Sequence, residues 1–111
     1  MDRIDQYRKL VLALLQSYVE ERPVAEDIET QLVTDTDHDH YQLVNVGWLN
    51  GHRIYGCVLH IDLKGDKVWI QHNGTERLVA EELVELGVPK EQIVLGFQTP
   101  SRRRLTEFAV N

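Results

Sequence analysis

The sequence predicts an α+β fold with an N-terminal helix, a four-stranded antiparallel meander, a second helix, a fifth short strand and a C-terminal tail. Apolar residues recur at three- and four-residue steps over residues 2–22, which predicts a helix. The dipeptides at 50–51 and 65–66, Asn-Gly and Gly-Asp, separate apolar runs and predict tight hairpins. A chain of 111 residues has the length of one domain, so we expect residues 1–111 to form a single domain.

The first helix and the first strand follow from two different periodicities. One apolar stripe of the helix is expected to face the core, and its members are Ile4, Tyr7, Val11, Leu14, Leu15 and Tyr18. Pro23 is expected to end the helix, because the residue before a proline avoids helical geometry. Residues 27–34 alternate apolar and polar side chains, which predicts a half-buried strand, and the polar run 35–40 predicts a loop.

The two hairpin turns predict the register of the central strands. A two-residue loop at 50–51 places Leu49 opposite His52, and a second loop at 65–66 places Leu63 opposite Val68. In this register one apolar set shares a single face, which we expect to be the core face: Val44, Val46, Trp48, Tyr55, Cys57, Leu59, Ile61, Leu63, Val68 and Ile70.

The opposite face of the predicted meander is too apolar to be fully solvated. We expect a second subunit or another helix to cover part of it, with a closed symmetric dimer as the favoured homo-oligomer. The candidate interaction surface consists of Tyr41, Leu43, Ile54, Val58 and Trp69.

The last third of the chain predicts a helix and a short strand. Residues 76–86 carry a helical apolar stripe, with Thr75 as N-cap and Gly87 as C-terminal cap. The apolar run 93–97 predicts the fifth strand, and the segment 99–101 predicts a turn.

The composition excludes several classes of protein. A formal net charge of −6 disfavours loose attraction to nucleic acid. Cys57 is the only cysteine, so an internal disulfide is impossible and a reducing compartment is expected. No stretch resembles a signal peptide or approaches the roughly 20 apolar residues of a membrane span. We therefore expect a cytoplasmic protein with no membrane contact.

The segment 35–40, with the sequence DTDHDH, is the obvious candidate for a metal site. An EF-hand loop starting at Asp35 requires Gly at its sixth position and Glu at its twelfth, where this chain has His40 and Val46. A zinc site using His38 and His40 needs further ligands. A solvated loop is the favoured interpretation, and we predict no metal site.

A second hypothesis is a small metal-dependent nuclease. Such enzymes hold Mg²⁺ with carboxylates and use a nearby Lys. Asp62 and Lys64 have the required spacing, with Asp35, Asp37 or Asp39 as the upstream acid. Polar residues are also expected beside a hairpin turn, so the match by itself is weak.

A third hypothesis is a DNA-binding regulator that grips phosphates with the basic run Arg102, Arg103 and Arg104. A solvated surface is the alternative interpretation of this candidate basic patch. No Ser-His-Asp pattern and no phosphate-binding glycine loop is present. We therefore predict no catalytic residues and no cofactor.

The amino-acid sequence resembles that of the XisI family. The resemblance rests on the segments HYQLVNVGW, RIYGCVLHIDLK, KVWIQHNGTE, ELVELGVPKEQIVLGF and TEFAV, and it extends over nearly the whole chain. XisI proteins are controlling factors for excision of the fdxN element, a DNA insert that a separate site-specific recombinase removes. The resemblance implies a non-enzymatic accessory regulator of DNA excision. Its implied partners are a XisH-like protein, a recombinase, or both, and it leaves direct DNA contact open.

Overall fold

The chain forms a five-stranded sheet with two helices packed on one face. The computed structural model describes residues 3–21 and 27–111. Its elements are α1 Arg3–Glu21, β1 Ile28–Asp35, β2 His40–Leu49, β3 His52–Lys64, β4 Lys67–Asn73, α2 Val79–Glu85, a 3-10 turn Lys90–Gln92, β5 Ile93–Leu95 and α3 Pro100–Arg103. The predicted fold class is confirmed, while the predicted helix stop at Pro23 lies outside the described residues. No helix in the described part of the chain is long and apolar enough to cross a membrane.

The strands lie in the order β1-β2-β3-β4-β5, as in a meander extended by one strand. The first three pairings are antiparallel, whereas β5 runs parallel to β4. A parallel pairing needs a crossover, and the segment containing α2 provides it. This connection places α2 on the same face as α1, where Tyr18 of α1 donates a hydrogen bond to Glu82 of α2 at 2.9 Å.

Both hairpin turns have the predicted geometry. Asn50 and Gly51 have φ values of 50° and 78°, and Gly65 and Asp66 have φ values of 58° and 62°. Positive φ at both central residues is the property of a type I′ turn, which matches the twist of the flanking strands. The predicted pairs next to the turns are confirmed, since Leu49 faces His52 and Leu63 faces Val68.

Between these turns, β3 contains one residue more than the predicted register allows. Leu43 lies opposite Leu59 while its neighbour Val44 lies opposite Cys57, so Val58 forms a β-bulge without a partner in β2. On the β4 side of β3, the carbonyl of Val58 accepts the backbone N–H of Gly74 at 2.7 Å. Because side chains alternate along a strand, this extra residue sends the apolar residues on its two sides to opposite faces. The prediction of one continuous apolar face is therefore wrong.

The face covered by α1 and α2, called the inner face below, carries the core. Its buried sheet residues are Tyr41, Leu43, Leu59, Ile61, Leu63, Val68, Ile70 and Ile93. They pack against the helical stripe Tyr7, Val11, Leu14, Leu15 and Tyr18. Full burial stabilises each of these aliphatic side chains by about 1.5–3 kcal/mol relative to exposure. The predicted stripe of α1 is confirmed apart from Ile4, which is half-buried at its edge.

The opposite face, called the outer face below, carries residues that were predicted to be buried. Trp48 is 52% exposed, Tyr55 is 74% exposed and Cys57 is also exposed. Each pairs across the β2–β3 hairpin as expected, with Trp48 opposite Arg53 and Tyr55 opposite Val46. The pairs are right, but the face to which they were assigned is wrong because of the bulge at Val58.

The second helix begins later than predicted. It runs from Val79 to Glu85, and Thr75 is not its N-cap. The Thr75 hydroxyl accepts the backbone N–H of Arg77 at 3.2 Å and donates to Asn73, so it holds the preceding turn. The predicted C-terminal cap is present, since Gly87 has φ 111° and its N–H donates to the Val84 carbonyl.

The segment predicted as a turn at 99–101 begins a short helix instead. The Thr99 hydroxyl accepts the backbone N–H of Arg102 at 3.3 Å, and Pro100 occupies the first turn. Proline fits there because the first N–H groups of a helix have no intrahelical partner. The fifth strand is also shorter than predicted, ending at Leu95. Further on, Ala109 forms a parallel bridge with Val94, which ties the tail to the sheet edge.

Candidate functional site on the outer face

The outer face carries a group of apolar side chains that no described helix covers. This outer patch consists of Val44, Val46, Trp48, Tyr55 and Cys57, contributed by β2 and β3. The guanidinium of Arg53 lies over the Trp48 ring at 5.3 Å from its centroid. Clustered exposed aromatic and aliphatic residues are typical of protein contact surfaces, in which Trp and Tyr contribute much of the binding free energy.

The predicted interaction surface is divided between the two faces and the core. Tyr41 and Leu43 are 0% and 1% exposed, so a partner cannot reach them and this part of the prediction is wrong. Their burial follows from the bulge, which places them opposite core residues of β3. Ile54 and Val58 line a groove on the inner face. Trp69 is half-buried on the outer face, and the cationic groups of Lys64 and Arg103 lie over its ring.

The inner-face groove has a volume of about 560 Å³ and lies between the end of α1 and the β2–β3 hairpin. Arg77 lies at its rim, with its guanidinium 3.5 Å from the ring centroid of Tyr18. The same guanidinium forms ion pairs with Glu82 and Glu21. Burial, reinforced by the hydrogen bond to Glu82, raises the pKa of Tyr18 above its ordinary value. The positive charge of Arg77 at the groove is thus paired with the negative charges of Glu82 and Glu21 within the chain.

Two histidines and one aspartate converge elsewhere on the outer face. His40 Nδ1 lies 2.8 Å from Asp62 Oδ1, and His60 Nε2 lies 2.7 Å from the same oxygen. The second oxygen, Asp62 Oδ2, accepts a hydrogen bond from Gln71 Nε2 at 3.1 Å. Asp62 is the one charged residue buried within the described part of the chain. This His-Asp cluster, formed by His40, His60 and Asp62, lies at the junction of β2, β3 and β4.

Electrostatic coupling within the His-Asp cluster shifts two of its pKa values. Burial alone would raise the pKa of Asp62, but the hydrogen bonds from His40, His60 and Gln71 outweigh it and lower that pKa. The hydrogen bond to Asp62, followed by its negative charge, raises the pKa of His40. The three potential ligand atoms lie within 4.8 Å of one another, the spacing at which side chains can share one metal ion.

The bulge at Val58 is what assembles this cluster. With the predicted register His40 would face Ile61, whereas the observed register places it directly opposite Asp62. His40 and Asp62 are candidates in separate sequence-based hypotheses, and neither hypothesis includes His60. The available signal was the alternation His60-Ile61-Asp62, which puts both polar residues on one face of a strand.

The acidic loop does not assemble as one site. His38 pairs with Asp35 at 2.8 Å on the exposed side. Asp39 turns to the inner side, where it accepts hydrogen bonds from Arg8 and from the Tyr41 hydroxyl. His38 and His40 thus have different partners, and the zinc site considered for that pair is not formed.

The arrangement required for the nuclease hypothesis is also missing from the described residues. Their one cluster of three potential metal ligands contains a single carboxylate, Asp62. Lys64 Nζ lies 4.6 Å from the Trp69 ring centroid and makes a cation–π contact there. The upstream acids Asp35 and Asp39 are engaged with His38 and Arg8.

The basic run has one structural member and two exposed ones. Arg103 donates hydrogen bonds to the backbone carbonyls of Leu95 and Gln98 at 3.2 and 3.1 Å. These contacts hold α3 against the end of β5. Arg102 and Arg104 are exposed, so two guanidinium groups of the three point to solvent.

Comparison with known proteins places the chain in a family. The XisI protein family model matches residues 1–110. A crystal structure of a XisI-like protein from Anabaena variabilis ATCC 29413 has a TM-score of 0.92 and 46% identity, covering 99% of this chain and 100% of that chain. The crystal structure of the fdxN element excision controlling factor XisI from the same organism has a TM-score of 0.85 and 28% identity, with the same coverage. The search of curated proteins found no match. The chain belongs to the XisI family.

Proposed function

We propose that this protein is a non-enzymatic accessory factor that controls site-specific DNA excision by binding other proteins. The family membership supports this proposal, since one of the similar structures is an fdxN element excision controlling factor. The partners are a XisH-like protein, a recombinase, or both. The recombinase supplies the chemistry of strand cutting, and this chain supplies a contact surface.

The observation that carries the proposal is the outer patch. Trp48 and Tyr55 are more than half exposed on a part of the outer face that no described helix covers. Leaving large aromatic rings in water forgoes the free energy that their burial would release, and such residues are the commonest energetic centres of protein interfaces. Contact through a mainly apolar surface also suits an acidic chain with a net charge of −6, which is repelled by DNA.

The side-chain chemistry agrees with a binding role. Arg77, Lys64 and Arg103 form ion pairs, cation–π contacts or backbone hydrogen bonds within the chain. Cys57 is a poor candidate for a nucleophile, because desolvation raises the pKa of its thiol. These features support a factor that acts through its surface.

The test is a binding measurement with the purified XisH-like protein encoded nearest to this gene. We expect the double variant Trp48→Ala/Tyr55→Ala to weaken binding by more than tenfold, as loss of interface aromatics generally does. Leu105→Ala is the matched control, because Leu105 is 87% exposed but lies outside the sheet. The same variants are then compared for excision of a reporter DNA element in cells.

Unchanged affinity and excision in the double variant would contradict the outer patch as the contact surface. Cleavage of DNA by the purified chain with a divalent metal would contradict the non-enzymatic role. Salt-sensitive DNA binding lost in Arg102→Gln/Arg104→Gln would favour a DNA-contacting regulator.

We also propose that the chain forms a homo-oligomer, most simply a closed dimer. The strand β1, Ile28–Asp35, is the edge strand of the sheet and is paired only on its β2 side among the described strands. A free edge presents unpaired N–H and C=O groups that a second copy can satisfy. This edge is separate from the outer patch, so both contacts are compatible.

A further inference from the structure

The His-Asp cluster is built differently from an ordinary surface ion pair. Both imidazoles contact the same oxygen of the Asp62 carboxylate, and the side chain of Asp62 is only 12% exposed. The side chain of His40 is 55% exposed, which leaves one side of the cluster open to solvent. The outer face thus presents two nitrogen donors and one oxygen donor that converge on a single accessible point.

The donor set matches the preference of one class of metal ion. Two imidazoles and a carboxylate bind zinc in sites that keep a further position open for water or another ligand. Mg²⁺ and Ca²⁺ prefer sites made of oxygen ligands, and a single carboxylate is a poor set for either ion. Nitrogen-rich sites of this type favour borderline transition metals.

The two nitrogen–oxygen distances are compatible with zinc binding after a small adjustment. Zn²⁺ held at about 2.0–2.1 Å by each ligand places tetrahedral ligand atoms roughly 3.3 Å apart. The two nitrogen–oxygen distances are now 2.8 and 2.7 Å, as expected when protons rather than a metal bridge them. Each imidazole therefore needs to withdraw by roughly half an ångström, which rotation of an exposed ring such as His40 accommodates.

We infer that His40, His60 and Asp62 form a binding site for one zinc ion, with the remaining coordination position open to solvent on the outer face. His40 contributes Nδ1, His60 contributes Nε2 and Asp62 contributes Oδ1. The ion replaces the protons that now join the three side chains. The site ties β2 to β3 beside the outer patch, and it does not depend on the proposed excision role.

Outer contacts hold the proposed ligands in place. Gln71 Nε2 donates to Asp62 Oδ2 at 3.1 Å and so fixes the plane of the carboxylate, leaving Oδ1 directed at the imidazoles. Gln42 Nε2 lies 3.4 Å from His60 Nδ1, on the side of that ring away from Asp62. A zinc-bound His60 carries its proton on Nδ1, so the Gln42 amide has to turn over and accept that proton with Oε1. Removal of such an outer partner typically weakens metal binding by roughly 10–100-fold.

The experiment is a titration of the tag-free, chelator-treated protein with Zn²⁺, in competition with a chromogenic chelator. We expect saturation at one ion per chain and a rise in melting temperature at saturation, since a ligand that binds only the folded state stabilises it. His40→Gln and His60→Gln should each reduce affinity by more than tenfold, and Gln71→Ala by roughly tenfold. His38→Gln and His52→Gln serve as controls that remove exposed histidines outside the cluster.

Loss of affinity confined to the His40, His60 and Gln71 variants supports the site. Absence of saturable binding in the wild-type protein, or equal affinity in all five variants, overturns it. His40→Gln is the decisive variant, because replacement of a mainly exposed ring leaves the core untouched. Co²⁺ provides a second readout, since visible absorption bands that the wild-type protein shows and His40→Gln lacks report the ligand set directly. Wild-type bands retained in His40→Gln would equally overturn the assignment.

Discussion

Asp39 shows how one side chain anchors the loop between β1 and β2 to the first helix. Its two oxygens accept hydrogen bonds from Arg8 Nε at 2.7 Å and Arg8 Nη2 at 3.0 Å. The Tyr41 hydroxyl donates a third at 2.8 Å. A paired guanidinium–carboxylate contact is among the stronger polar contacts in proteins. Asp39 itself has φ 59°, a left-handed conformation that Asp tolerates better than most residues.

This arrangement predicts how stability depends on pH. The hydrogen bonds from Arg8 lower the pKa of Asp39, and the hydrogen bond from Tyr41 and the charge of Arg8 add to this effect, which burial of the carboxylate opposes. A carboxylate whose folded-state pKa is lowered stabilises the fold above its unfolded pKa of about 3.9, and that stabilisation is lost as pH falls through the folded value. We expect Arg8→Gln to reduce the fall in melting temperature between about pH 5 and about pH 2.

The control for Arg8→Gln is Arg3→Gln, which removes the same charge from an exposed position of the same helix. The quantity to compare is the slope of melting temperature against pH in the acid range. Equal slopes for the wild-type protein and both variants would show that the Arg8–Asp39 pair contributes nothing to acid stability.

The bulge at Val58 determines both the core and the His-Asp cluster. One unpaired residue in β3 moves Tyr41 and Leu43 to the inner face, and it moves His40 opposite Asp62. The Val58 carbonyl keeps a partner on the other side of β3, where it accepts the N–H of Gly74 just beyond the end of β4. A bulge of this kind is a specific structural feature that redirects the side chains of a strand.

The observed register can be tested through two neighbouring residues of β2, of which only Leu43 faces the core. Leu43 is 1% exposed on the inner face, so Leu43→Ala should lower the free energy of unfolding by about 2–5 kcal/mol. Val44 is half-buried on the outer face, and Val44→Ala should cost less than about 1 kcal/mol. Urea denaturation measures both. A larger loss of unfolding free energy for Val44→Ala than for Leu43→Ala would contradict the observed register and support the one without the bulge.

The contact between β1 and β2 depends on a glycine with no room for a side chain. A Cβ at Gly47 would lie 1.9 Å from the Asp27 carbonyl oxygen and 2.7 Å from the Ile28 Cα. These are backbone atoms, which cannot rotate away, so Gly47→Ala should destabilise the fold by about 1–3 kcal/mol or more. Gly56→Ala is the matched control, because a Cβ there meets nothing within 4 Å. Equal denaturation midpoints for the two variants would contradict this close approach.

The sequence predicted the elements whose signals are local. Asn50-Gly51 and Gly65-Asp66 determine turns through their own backbone preferences, and the stripe of α1 follows from its spacing. The bulge has no such signal, because Val58 is an ordinary strand residue. The sequence indicates the bulge only indirectly. Adjacent apolar residues interrupt the alternation of apolar and polar side chains at Leu43-Val44 and again at Val58-Leu59.

The candidate site was therefore predictable only in part. The polar residues of the His-Asp cluster were visible in the sequence, but their meeting depends on a register shift between distant strands. The start of α2 was misplaced for a related reason. Thr75 can cap a helix, yet here its hydroxyl is used by the turn between Asn73 and Arg77. Local preference cannot decide between two local uses of the same side chain.

The sheet has two different faces and an open edge. The inner face is covered by α1 and α2, while the outer face combines the outer patch with the His-Asp cluster. The edge strand β1 carries Val33, which is 46% exposed on the outer face. An exposed apolar residue on an edge strand favours pairing with another chain, whereas a lysine at such a position opposes it.

The β1 edge is expected to mediate dimerisation. We expect the wild-type protein to sediment as a dimer and Val33→Lys to sediment as a monomer, because two edges related by a twofold axis would bring the lysines together and oppose pairing. Val110→Lys is the control, since Val110 is also partly exposed but lies in the C-terminal tail. A dimer that persists in Val33→Lys would exclude the β1 edge, whereas a monomer that still binds the XisH-like protein would show that the edge and the outer patch serve different partners.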